Sequence, residues 1–109
     1  MPAHFDVAVN RRAGGAEVRL AGELDAAAVF TLEPQLDRIA AEADTRRIVF
    51  DLRELTFIDS AGLAVLVAAH ERLQANGVEV CFLRPAASVM RIFELTGLDA
   101  AFAFRGPEG

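Results

Sequence analysis

The chain has 109 residues, 53% hydrophobic and 25% charged, with a formal net charge of −5. That length holds one compact domain, and the composition excludes a disordered segment. The negative charge argues against nucleic acid or an anionic membrane as partner, because both reward clustered positive charge.

The residue inventory excludes more. All 11 basic residues are arginine, so P-loop lysine, Schiff-base lysine and pyridoxal-anchor chemistries are impossible. Cys81 is the lone cysteine, which rules out an intrachain disulfide and fits a cytoplasmic location. No apolar run reaches the roughly 18–20 residues of a membrane helix, so no membrane insertion is expected. Met1 to Asp6 show no basic start and no apolar core of a signal peptide.

In chain order, Phe5, Val7 and Val9 alternate with Asp6, Ala8 and Asn10, and Val18 and Leu20 alternate with Glu17 and Arg19. Arg11 to Gly15 reads as a turn, so a hairpin pairing 5–10 with 16–22 is expected. Asp25 is a candidate N-cap. From Ala26 to Ala43 the spacing is helical, with Val29, Leu32, Leu36, Ile39 and Ala40 on one stripe. Pro34 leaves two possibilities: a kinked helix, or a short turn at 26–30 followed by a helix whose first turn contains the proline.

Arg47 to Leu52 is a strand of the type buried on both faces of a sheet. The stretch Phe57-Ile58-Asp59-Ser60-Ala61-Gly62-Leu63 then turns into a second helix. That helix ends at Asn76-Gly77, with Leu63, Leu66, Val67, His70 and Leu73 inward. A strand over 78–83 follows, then a helix over 86–96 stopped by Gly97. A short strand is expected over 101–104, and 105–109 reads as a frayed tail. The expectation is a single domain over 1–109 with its core at about 5–104. Its class is α/β, mixed because the first two strands form a hairpin, with the later strands joined by right-handed crossovers.

Asp59 and Ser60 sit where a connection becomes a helix, and both residue types cap helix starts. If the later strands are parallel, Asp25, Asp59 and Ser60 share one edge of the sheet. One reading is two helix caps and nothing more. The other makes Ser60 a phosphoacceptor, since a phosphate at a helix N-terminus meets free N–H groups and the positive end of the dipole. Ala61, Ala64, Val65 and Ala68 fall on the faces away from the inward stripe. They are small and apolar, which suits either a partner surface or plain helix propensity.

Enzyme chemistry fares worse. The sequence Ile58-Asp59-Ser60-Ala61-Gly62 is similar to a nucleophile elbow, but Ile58 stands where the first glycine belongs. His70 lies ten residues on, roughly 15 Å along the helix, too far to serve Ser60 as base. Asp25 and Asp59 lack a sugar-binding cleft, and the chain has no tryptophan or tyrosine. Cys81, His4 and His70 lack metal-ligand spacing. No catalytic residue, metal or cofactor is expected.

Two motifs carry a family resemblance. Phe57 to Leu63 resembles the Asp-Ser-(Ser/Thr/Ala)-Gly-Leu phosphorylation signature of the STAS family, in its anti-sigma factor antagonist branch. Leu20-Ala21-Gly22-Glu23-Leu24-Asp25 stands at the matching place before the first helix. The resemblance runs from the Phe5 strand to Phe104 and implies a single STAS-like domain, a mixed sheet of four to five strands with helices mainly on one face. It implies that Ser60 is phosphorylated by a cognate anti-sigma factor serine kinase, with Asp25 and Asp59 helping to engage it. Joined to Gly62 and the small apolar faces of the second helix, these acids give an expected partner surface of Asp25, Asp59, Ala61, Gly62, Ala64, Val65 and Ala68. The unphosphorylated form would bind the kinase and free the sigma factor. Phosphorylation would end binding, and a phosphatase would reset the switch. Ala61 leaves one acceptor where some relatives have two hydroxyls. The competing implication is a scaffold without a switch, serving a stress-signalling or lipid-transport complex.

Overall fold

The computed structural model describes residues 4–106. Of the tail expected over 105–109, Arg105 is instead held in the sheet beside Leu83, and residues 107–109, like the first three, lie outside that range. The element order is β1 (Phe5–Arg12), β2 (Gly15–Leu24), α1 (Ala26–Ala40), β3 (Arg47–Ile58), α2 (Ser60–Ala75), β4 (Glu79–Leu83), α3 (Ala87–Leu95) and β5 (Phe104–Arg105). One five-stranded sheet has the order β1-β2-β3-β4-β5, with β1 antiparallel to β2 and all later neighbours parallel.

Sequential order fixes the layering. Each parallel crossover is right-handed, so strands added in one direction place their helices on one face. Val18, Leu20, Ile48, Phe50, Leu52 and Phe82 line that face and are fully buried. Aromatic packing closes its far end: the Phe82 and Phe102 rings stack at 4.3 Å, and Phe93 of α3 meets Phe102 at 5.8 Å. Phe102 thus completes the core, although the final strand begins two residues later and is only two residues long.

The opposite face carries no helix, which corrects the expectation that β3 is covered on both sides. It bears Glu17, Arg19, Arg47, Val49, Asp51 and Cys81. Asp51 is buried because Arg53 folds over it, donating from its backbone N–H (3.0 Å), Nε (3.0 Å) and Nη2 (2.9 Å). Those bonds outweigh the opposing effect of burial and hold the Asp51 carboxyl below the ordinary carboxylate range.

β3 is also longer than expected. It continues from Leu52 through Ile58 because β2 runs beside it to the pair Leu24–Ile58, with register shifts absorbed near Ala21 and Gly22. Outward Arg53 and Glu54 interrupt the apolar pattern and hide this extension. Pro34 lies within a single helix, α1. It occupies an exposed position, where the carbonyl it leaves unbonded can meet water.

Candidate functional site

The site is assembled from two strand ends and two helix starts. Leu24 and Ile58 are the last paired residues of β2 and β3, and the next residue of each strand caps a helix. The Asp25 carboxylate accepts from Ala28 N–H, and that of Asp59 from Gly62 N–H, both at 2.9 Å. The two caps have nearly the same backbone: φ −113°, ψ −174° at Asp25 and φ −111°, ψ −174° at Asp59. A bond from Asp59 N–H to the Leu24 carbonyl (3.3 Å) ties one corner to the other. The structure therefore brings Asp25, Asp59 and Ser60 to one edge of the sheet.

Ser60 is the first residue of α2 and is exposed. In its turn, the Gly62 N–H is taken by the Asp59 side chain and the Leu63 N–H by the Asp59 carbonyl. The N–H groups of Ser60 and Ala61 come before the first intrahelical bonds and stay free to meet an anion.

Gly62 fixes the depth of this corner. A Cβ there would stand 2.4 Å from the Leu24 carbonyl oxygen and 2.8 Å from Leu24 Cγ. Only a glycine lets the first turn of α2 rest on the end of β2.

The structure rotates the expected helix wheel. Gly62, Val65, Leu66, Ala69, His70 and Leu73 are buried on α2, whereas Leu63 and Val67 are only half-buried. Val65 (8% exposed) and Gly62 therefore do not belong to an outward surface. The cause is that α2 packs on two neighbours, the sheet beneath and α1 beside it. Val65, Ala68 and Ala69 line a groove of about 150 Å³ against Leu36 and Ile39, closed at one end by the Arg72–Asp37 ion pair (2.7 Å). The outward strip is Ser60, Ala64 and Ala68, with Ala61, Leu63 and Val67 at its margins.

Residue-type reasoning missed two exposed aromatics, Phe57 (46% exposed) just before the corner and Phe30 (82%) on α1. Their signal was available: each is a large apolar residue outside the buried stripe of its element. His70 is a core residue, 4.7 Å from the Phe102 ring. Burial lowers its pKa below the usual histidine value. Among the described residues, no group of three or more His, Cys, Asp or Glu could hold a metal ion, and no helix is long and apolar enough to cross a membrane.

Comparison with known proteins agrees with this architecture. The anti-sigma-B factor antagonist of Staphylococcus aureus strain NCTC 8325 is 35% identical over 82 residues, 75% of each chain. An anti-sigma factor antagonist from Mycobacterium paratuberculosis superposes with a TM-score of 0.83 at 27% identity, covering 93% of this chain and 85% of that one. The Bacillus cell fate determinant SpoIIAA, in its phosphorylated form, shares the fold with a TM-score of 0.75 at 20% identity, over 94% and 92% of the two chains. The STAS domain model matches residues 5–106, and the chain belongs to the STAS domain family.

Proposed function

We propose that this protein is an anti-sigma factor antagonist whose partner binding is switched at Ser60. The observation that carries the reading is an exposed hydroxyl at the first position of α2, on a turn pinned by Gly62 and flanked by two carboxylates. The names of the similar proteins support the antagonist role. Unphosphorylated, the protein binds an anti-sigma factor serine kinase and releases the sigma factor. The kinase transfers the γ-phosphoryl of ATP to Ser60 Oγ: the Oγ–P bond forms as the bond from the γ-phosphorus to the bridging oxygen breaks, ADP leaves, and the hydroxyl proton passes to solvent. A phosphatase returns the hydroxyl by hydrolysis. The protein acts as substrate and switch, with no catalytic group of its own.

The physics of the switch is local. Phosphorylation adds about −1.5 to −2 charge beside Asp25 and Asp59. The free N–H groups of Ser60 and Ala61 and the helix dipole offset part of that charge within the fold. A partner fitted to the surface at Ala64, Ala68 and their margins then meets a bulky, strongly hydrated anion where it met a neutral hydroxyl. Because Ser60 is exposed, modification leaves the core intact.

The test is incubation of the folded protein with its anti-sigma factor and ATP, followed by mass-spectrometric mapping. Phosphate on Ser60, lost in Ser60→Ala, is the expected result. Stable binding with no phosphate transfer would instead indicate a scaffold, and phosphate only on Thr56 or Ser88 would remove Ser60 from the role.

A further inference from the structure

β1 lies at the outer edge of the sheet, with β2 as its one neighbour. A strand edge presents a row of unpaired backbone groups. β1 (Phe5–Arg12) pairs with β2 along one side only, with no proline and no register shift. The bond from Glu23 N–H to the His4 carbonyl (3.2 Å) sets the alternation. Even-numbered residues bond to β2, and Phe5, Val7, Val9 and Arg11 turn their N–H and C=O groups to the open side.

The side chains specify what that edge accepts. Asp6 and Arg12 are exposed on the helix-free face, and neither is in an ion pair with another described residue. Val9 is half-buried on the helix face. Arg11, on that same face, is paired with Glu42.

We infer that β1 pairs with β1 of a second copy, antiparallel about a two-fold axis through Val9, giving one continuous sheet. Residues directly opposite must share a face, so only registers that match odd with odd and even with even are allowed. With Val9 opposite Val9, Asp6 lies opposite Arg12 on both sides of the axis, and Val7 opposite Arg11. The outward groups of Val7, Val9 and Arg11 then exchange backbone hydrogen bonds. The allowed registers one step either way place Asp6 opposite Asn10 or leave it beyond the strand, and neither forms the ion pair. The edge is self-complementary in both backbone and charge, as a two-fold interface requires. A single strand pairing buries little area, so the dimer is weak and concentration-dependent.

Sedimentation of the full chain over a concentration series up to about 1 mM tests this. A monomer–dimer equilibrium is expected. Val9→Pro removes an N–H that points off the edge and not into the β1–β2 ladder, so the fold survives and the dimer is lost. Asp6→Arg alone and Arg12→Asp alone place like charges opposite each other and weaken association by about ten-fold. The double exchange restores the pairing. A monomer at every concentration, a folded Val9→Pro variant that dimerises as before, or a double exchange no better than the single changes would overturn the proposal. Partner-driven binding of another protein's strand at this edge, with the chain alone monomeric, would overturn it equally.

Discussion

The starts of α1 and α2 are nearly the same object built twice. Each comes after a strand that ends in a buried aliphatic residue, and each is capped by an aspartate with the same backbone angles and the same 2.9 Å bond to the third residue on. They differ in the three residues after the cap. On α1 these are alanines, and the third, Ala28, buries its methyl. On α2 they are Ser60, Ala61 and Gly62. The α1 corner therefore carries no hydroxyl of its own. The α2 corner is a cap that carries an exposed hydroxyl, seated against Leu24 by the lack of a side chain at Gly62. Capping explains both aspartates, and it explains neither Ser60 nor Gly62.

Substitutions can break this comparison, and their effects on stability should descend in a defined order. The largest belongs to Gly62→Ala. The added methyl meets backbone and cannot be relieved by a side-chain rotation, so a loss of about 1–3 kcal/mol is expected in denaturant unfolding. An unchanged midpoint would show that α2 is not seated on Leu24. Asp25→Ala and Asp59→Ala should each cost about 1 kcal/mol, because each removes a cap. The Asp25 carboxylate holds the first turn of α1 as that of Asp59 holds α2. Asp25→Asn and Asp59→Asn sharpen the comparison. Asparagine caps as well as aspartate, so stability should move by only a few tenths of a kcal/mol. Phosphorylation of Ser60 should nonetheless slow if the charges engage the kinase, and a kinase assay on these stable variants separates the two roles. Smallest is Ser60→Ala, expected within about 0.5 kcal/mol because the side chain is exposed. The same variant should abolish phosphate transfer and keep binding the anti-sigma factor in the presence of ATP, as read by co-purification.

The sequence made much of this legible because the strand periods, the turn glycines and the caps are local signals. The order of elements comes from them, as does the meeting of Asp25 with Asp59 once the strands are parallel; the one-sided sheet came from the family resemblance, against the apolar run of β3. The illegible part depends on tertiary neighbours. The α2 stripe came out rotated because a helix wedged between a sheet and another helix buries a wider arc than one lying on a sheet alone. Val65 and Ala69 face α1, a contact that no pattern within α2 announces. The extension of β3 through Ile58 depends on pairing with β2 across Arg53 and Glu54. Pro34 was undecidable from its own segment, because tolerance of a proline depends on whether the carbonyl it strands reaches solvent.

The contact between Gly62 and Leu24 reaches beyond stability. The corner that presents Ser60 contains a residue from thirty-six positions earlier in the chain, so it exists only after β2 and β3 have come together. An enzyme that reads this corner reads a finished molecule. A synthetic peptide copying Phe57 to Leu63 has the right letters but nothing to lean on, and should be a poor substitute. Under the proposed switch, an unassembled chain would be passed over in the same way, and phosphate on Ser60 would attest correct assembly as well as carry a signal.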